Sequence, residues 1–137
     1  MDWPEDALPA SATQMTVCVA GKGPLVAVVD HLQEKKAKGK TITVRKVTPT
    51  GGLAGCQVLV LGDLDKSTTS GLLERSRTSA ILTVAESAGF AGSGGVVGFV
   101  LLGSKVRFEI NPAAAQRHRI RVSSQLLKLA QIVRDEP

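Results

Sequence analysis

Three arginines alternate with other residues near the C-terminal end of the chain. Arg117, Arg119 and Arg121 each carry a planar guanidinium group, which suits carboxylate and phosphate groups. One interpretation is a binding site for an anionic ligand or an acidic partner. The other is a solvated basic face, which is the commoner meaning of such a run. The sequence leaves both interpretations open.

Two glycine-rich segments could bring backbone N–H groups to a ligand. The first runs from Gly21 to Gly23 before Pro24, between a predicted strand and a predicted helix, where anions can bind. It matches neither GxxxxGKS/T nor GxGxxG, and Pro24 lacks an N–H donor, so a tight turn is favoured over a nucleotide-handling enzyme. The second segment, residues 88–95, is either a ligand-contacting lid or a flexible crossing loop.

The chain holds few residues that could carry catalysis. Neither His31 nor His118 has a sequence neighbour that suggests a catalytic triad. Most carboxylates stand in predicted turns or near the termini, so paired acid–base catalysis is unsupported. Glu109 is the exception, because it lies in an apolar strand on the same face as Arg107, either as an exposed ion pair or as a ligand contact. We predict no catalytic residue and no cofactor.

The two cysteines, Cys18 and Cys56, have no CxxC or Cys/His spacing around them. We therefore predict no metal ligand. Composition alone favours two buried free thiols in strands. The alternative is a single disulfide, which would indicate an oxidising compartment.

Alternating strands and helices must position these residues. Short apolar and β-branched runs predict strands over residues 15–20, 41–47, 57–61, 80–84, 96–102 and 105–110. Helices are predicted over residues 24–38, 67–78, 111–115 and 124–133. Helical spacing predicts that the buried face of the first helix consists of Leu25, Val28, Val29 and Leu32.

This order of elements predicts an α/β fold in one domain that covers residues 1–137. We expect a three-layer sandwich with a mixed, mostly parallel sheet of about six strands flanked by helices. Gly103 and Ser104 join the last two strands as a hairpin, which should place an antiparallel pair at one edge of the sheet.

Composition argues against several functional classes. The net charge is +5, but aromatic residues make up only 3% and tyrosine is absent, so nucleic-acid binding by base stacking is not predicted. No apolar run reaches the roughly 18 residues of a membrane span, so no direct membrane insertion is expected. No secretory leader is visible at the start of the sequence.

Several segments, read in order, resemble the YfiR family of YfiR/HmsC-like periplasmic proteins. The resemblance begins at Asp2, Trp3 and Pro4 and includes both cysteine motifs, at residues 17–21 and 55–59. It continues through residues 81–84, 89–95, 106–111 and 114–130. The ordered set covers nearly the whole chain.

The resemblance implies a periplasmic regulator that is not an enzyme. Members of the family bind the periplasmic domain of an inner-membrane diguanylate cyclase and hold the cyclase inactive. Their release, in some systems through an outer-membrane lipoprotein with a peptidoglycan-binding domain, raises cyclic di-GMP and promotes biofilm formation. Homodimers are usual. The expected function is therefore repression of such a cyclase.

The resemblance also assigns residues. The cysteines of the two matching motifs pair in relatives that have both, so a disulfide between Cys18 and Cys56 becomes the expectation. Relatives link a second neighbourhood to the binding of small ligands. Its positions in this chain are Glu109, Asn111, Arg121 and Ser123. Some relatives carry histidine at the position of Ser123.

The sequence departs from the family at its N-terminal end. Relatives have a signal peptide and a first helix before the Trp-Pro pair, and neither is visible in this sequence. A missing helix would expose apolar surface on one side of the sheet, so we expect either a longer precursor or another chain that covers the surface. The alternative function is a sensory module that binds an anionic metabolite through Arg117, Arg119 and Arg121.

Overall fold

The computed structural model describes residues 2–37, 39–48, 50–77, 79–86, 89–102 and 105–134. The strands are β1 (Gln14–Ala20), β2 (Lys36–Ala37), β3 (Lys40–Lys46), β4 (Val58–Leu61), β5 (Leu82–Glu86), β6 (Val97–Leu102), β7 (Lys105–Ile110) and β8 (Gln131–Ile132). The helices are α1 (Pro24–Asp30), α2 (Lys66–Ser76), α3 (Pro112–Arg117) and α4 (Ser124–Leu129).

The strands form one sheet in the order β2-β3-β1-β4-β5-β6-β7-β8. Parallel pairing links β3 to β1 and continues through β4 and β5 to β6, whereas β6 and β7 are antiparallel. The predicted α/β fold with a mostly parallel sheet is confirmed. The two-residue strands β2 and β8 extend the six predicted strands at the two edges. The predicted turn at Gly103 and Ser104 lies outside the described residues.

Alternating side chains in the central strands build two apolar layers. In β1, Val17 and Val19 pack in the same cluster as Val26 of α1. The residue between them, Cys18, packs in the opposite cluster with Leu72 of α2. Because neighbouring strand residues point to opposite faces, helices cover the sheet from both sides. This arrangement is the predicted three-layer sandwich.

The first helix is shorter than predicted. α1 ends at Asp30 rather than at residue 38, because the following residues turn back toward β3. The Glu34 N–H donates to the Ile42 carbonyl at 2.8 Å, and the Ile42 N–H donates to the Lys35 carbonyl at 2.7 Å. Lys36, which was expected in the last helical turn, instead belongs to β2, antiparallel to β3.

The buried face of α1 also differs from the prediction. Val26 and Val29 are buried, whereas Val28 is 62% exposed. Leu32 lies beyond the end of the helix and is 38% exposed. The predicted face assumed a helix twice as long, and the short helix turns Val26 rather than Val28 toward the sheet.

The last helix is likewise shorter than predicted. α4 ends at Leu129 rather than at residue 133, and the backbone becomes extended at Ala130. The chain then forms β8 beside β7, and the Val133 N–H donates to the Ile110 carbonyl at 2.9 Å. Pairing with the sheet therefore overrides a helical pattern of apolar residues.

A disulfide between Cys18 and Cys56 joins β1 to the residues that lead into β4. The two Cα atoms lie 5.8 Å apart, and both cysteines are buried. The expectation from the family resemblance is confirmed. The interpretation from composition alone, two free thiols, is wrong.

Candidate functional site

The three predicted arginines lie around two different cavities. Arg117 ends α3 and lines a polar cavity with Arg77 and His118. Arg119 and Arg121 line a second, shallow cavity beside α4. The chain turns sharply between Arg117 and Arg121, because Arg119 has a left-handed backbone conformation with φ at 59°. A single site that uses all three guanidinium groups is not formed in this structure.

Arg119 and Arg121 both contact the N-terminal segment of the chain. The Arg119 Nη1 atom lies 3.2 Å from Asp6 Oδ2 in an exposed ion pair, which contributes little to stability. Arg121 and Asp2 exchange backbone hydrogen bonds of 2.8 Å in both directions. The Arg121 side chain is exposed, so its guanidinium group can still meet a ligand or a partner.

Asn111 follows β7 and begins α3. Its side chain is completely buried, where Nδ2 donates to the Ala91 carbonyl at 2.8 Å and Oδ1 accepts from the Ala114 N–H at 3.1 Å. Both ends of the amide are therefore used within the protein. We assign Asn111 a positioning role, because it ties the glycine-rich segment to the start of α3, rather than the direct ligand contact that the resemblance implied.

Glu109 and Ser123 lie in more open surroundings. Glu109 is half-buried in β7, between Gly98 of β6 and Gln131 of β8. Ser123 is exposed and caps α4, since its Oγ accepts from the Leu126 N–H at 3.2 Å. The structure therefore gives Ser123 a helix-capping role, and a ligand contact by either residue stays a prediction.

The polar cavity has a volume of about 350 Å³. It lies between α2, the glycine-rich segment and the end of α3. Its lining side chains are mostly charged or hydroxylated: Ser70, Glu74, Arg77, Ser93, Arg117 and His118. The sequence pattern indicated Arg117 and the glycine-rich segment as site candidates but not Arg77 or His118. The only available signal for His118 was its position beside Arg117.

His118 is the buried titratable group of this cavity. Its Nδ1 lies 2.8 Å from the Ser79 carbonyl, which can only accept, so the ring carries a proton on Nδ1. Burial lowers the pKa of His118 below its usual value of 6.5. The hydrogen bond to the Ser79 carbonyl raises the pKa by a smaller amount, and the nearby positive charges of Arg117 and Arg77 lower it further.

The glycine-rich segment closes on itself beside this cavity. The N–H groups of Ser93, Gly94 and Gly95 donate to carbonyls of residues 89–91. A Cβ atom on Gly95 would lie only 2.1 Å from the Phe90 ring, so glycine is required there by packing. The segment therefore forms a wall of the cavity, and these three N–H groups are already used.

The first glycine turn is a tight connection, as the sequence favoured. The Gly62 and Asp63 N–H groups donate to carbonyls of Ala20 and Lys22. A Cβ on Gly23 would lie 2.9 Å from the Asp63 carboxylate, so a negative charge already faces the start of α1. A phosphate group would be repelled at this position.

An apolar groove of about 400 Å³ opens on the sheet face that carries α1. Strand residues form its floor, and Trp3, Leu25, Leu32 and Leu126 stand around it. The Trp3 indole is fixed by donating to the Gln57 carbonyl at 2.9 Å. Most of the strand residues on its floor are buried, so the expectation of an uncovered sheet face stays a prediction.

The part of the chain that the structure describes contains no group of three or more His, Cys, Asp and Glu residues placed to hold a metal ion. Within the same residues, no helix has the length and apolar character required to cross a membrane.

A protein-family model described as YfiR/HmsC-like matches residues 1–131. The match begins before β1 and extends to the first residue of β8, so it includes both cysteines and both cavities lined by the arginines. No curated protein matches the chain.

Proposed function

Because the chain belongs to the YfiR/HmsC-like family, we propose that it represses a membrane-bound diguanylate cyclase by binding the periplasmic domain of that cyclase. Proteins of this family are regulatory and non-catalytic, and membership implies a periplasmic regulator of diguanylate cyclase. The family match over residues 1–131 is the observation that carries the proposal. The disulfide between Cys18 and Cys56 is consistent with an oxidising compartment and supports the periplasmic location.

The mechanism is a shift of population. A protein that binds only the inactive state of the cyclase increases the share of that state, without any chemistry of its own. Cyclic di-GMP and biofilm formation then fall. In this proposal the active regulator is a homodimer, and an outer-membrane lipoprotein that binds peptidoglycan releases the cyclase by competing for the regulator.

The apolar groove is the surface on which we expect the cyclase to dock. Its lining is apolar throughout, so its occupant must present apolar side chains. A helix is the favoured occupant, because helices normally cover the face of a sheet in an α/β sandwich. Leu32 lies at the rim of the groove and is partly exposed, so a docked helix would contact it.

The function is tested by measuring cyclic di-GMP in the native host. Deletion of the gene is expected to raise cyclic di-GMP, and the chain should restore the normal level only when it is exported to the periplasm. The exported chain should also co-purify with a detergent-solubilised diguanylate cyclase. Unchanged cyclic di-GMP after deletion, together with no cyclase in the purified material, would refute the proposal.

A matched pair of variants tests the groove. Leu32→Lys places a charge at the rim and is expected to reduce cyclase co-purification by about tenfold, since burying an unpaired charge is costly. Val28→Lys, on the outer side of α1 and even more exposed, should leave co-purification unchanged. Equal effects of both variants would argue against the groove. Loss of dimerisation with intact repression in Leu32→Lys would place a second copy of the chain there instead.

A further inference from the structure

The polar cavity combines positive charge with a shape suited to a small ligand. Arg77 and Arg117 reach it from the ends of two different helices, α2 and α3. Its volume of about 350 Å³ lies within the range of roughly 300–1,000 Å³ that is usual for small-molecule sites. This feature is separate from the apolar groove, and the inference goes beyond repression of a cyclase.

The charges around the cavity favour an anion. Arg77 pairs with Glu74 at 3.2 Å, in an exposed contact that orients its guanidinium group without burying it. Among the lining residues, Arg77 and Arg117 bring two guanidinium groups to the cavity and Glu74 brings one carboxylate. The hydroxyl groups of Ser70 and Ser93 supply further hydrogen-bond donors. Recognition would come from these side chains, because the N–H groups of residues 93–95 donate within their own segment.

His118 adds a donor that depends on protonation. Its Nδ1 proton is committed to the Ser79 carbonyl, so the neutral ring leaves Nε2 as an acceptor. When Nε2 takes up a proton from solvent, the ring becomes a cation with a new N–H donor. The charged groups that face the ring are Arg117 from α3, and Arg77 with its partner Glu74 from the end of α2. The glycine-rich segment, residues 89–95, has no charged side chain.

We propose that this cavity binds the phosphate group of a small phosphate ester between Arg77 and Arg117, and that His118 takes up a proton when the ester binds. A tetrahedral oxyanion has several oxygens that point in different directions, which matches donors from α2, α3 and the glycine-rich segment. A carboxylate offers only two oxygens in one plane. The remaining volume accommodates the organic part of the ester.

The direction of the pH dependence follows from the same charges. Without an anion, burial and both arginines lower the pKa of His118 more than the Ser79 hydrogen bond raises it, so the folded protein keeps the ring neutral and is destabilised as pH falls below about 6.5. A bound anion offsets the positive charge and raises the pKa. Anion binding must therefore strengthen as pH falls, and it must protect the fold at low pH.

Calorimetric titration with sulfate tests this proposal, because sulfate stays a dianion over the relevant pH range. At constant ionic strength, the affinity is expected to rise about tenfold between roughly pH 7.5 and pH 5.5. Arg77→Gln and Arg117→Gln should each weaken sulfate binding by about tenfold or more. Arg134→Gln is the matched control, since this exposed arginine lines neither the polar cavity nor the cavity of Arg119 and Arg121. Its affinity should equal that of the unmodified protein.

Four results would overturn the proposal. They are the absence of sulfate binding at millimolar concentration, an equal loss in Arg134→Gln, equal affinity for acetate and sulfate, and binding of inorganic phosphate but not of glycerol 3-phosphate at about pH 7.5. Proton uptake is measured separately by NMR titration of the His118 ring in the unmodified protein, with the exposed His31 as an internal reference. Sulfate should raise the midpoint for His118, and an unchanged midpoint would refute proton uptake.

Discussion

Replacing both Cys18 and Cys56 with alanine is expected to lower the free energy of unfolding by about 4 kcal/mol, because an unfolded chain without the bond gains the entropy of an open loop. The cysteines are separated by 38 positions, so the bond closes a long loop that includes α1, β2 and β3. Both are buried, and Cys18 has no exposed surface. A loss of this size is a large fraction of the stability of an ordinary domain.

Urea denaturation of the oxidised protein and of the double variant measures this loss. The unmodified protein in strong reductant is the control, because it retains the cysteine side chains but loses the bond. Its midpoint should fall close to that of the double variant. Equal urea midpoints for the oxidised protein and the double variant would contradict the prediction, and would mean that packing alone holds β1 against β4.

The bond also bears on where the protein can work. Arg45 reaches the Cys56 sulfur at 3.1 Å and the Ala54 carbonyl at 2.8 Å. These contacts hold the Cys56 side chain beside β3, where it is bonded to Cys18. An oxidising compartment therefore supplies stability that a reducing one would remove, in agreement with the periplasmic role proposed above.

The fold was largely predictable, because alternating apolar residues report the faces of a sheet. The nearly all-apolar run over residues 57–61 already indicates a strand covered on both sides, and β4 is buried throughout. Most element boundaries agree with the prediction to within two residues. The large errors are at the ends of α1 and α4, where the chain leaves a helix to pair with β3 and β7. The apolar pattern within one segment does not show that the segment will pair with a strand elsewhere in the chain.

The candidate sites were less predictable, since they depend on contacts between distant segments. Arg77 and Arg117 line the same cavity only because the ends of α2 and α3 approach the same glycine-rich segment. The spacing of Arg117, Arg119 and Arg121 suggested one cluster, and the left-handed backbone at Arg119 separates them. The disulfide was reached through the family resemblance, because the residues alone left two free thiols as the favoured interpretation.

Asn111→Ala is expected to lower the free energy of unfolding by about 2–4 kcal/mol, since it removes a helix cap and leaves a buried carbonyl without its donor. In the folded protein the side chain caps α3 through the Ala114 N–H and holds the Ala91 carbonyl. Because Asn111 has no exposed surface, water cannot reach this position to replace the two lost hydrogen bonds. Because Ala91 adjoins Gly92 in the cavity wall, the variant should also weaken sulfate binding.

Ser123→Ala provides the comparison, because it removes a cap of the same kind from an exposed position. The Ser123 Oγ accepts from the Leu126 N–H, and water can replace it, so the loss should stay below about 1 kcal/mol. Sulfate affinity should not change, since Ser123 lies away from the polar cavity. Urea denaturation of the two variants distinguishes the effect of burying the Asn111 amide from the effect of capping a helix. If both variants lose the same small amount of stability, the buried amide of Asn111 does no more than cap a helix. Its hydrogen bond to the Ala91 carbonyl would then not support the wall of the polar cavity.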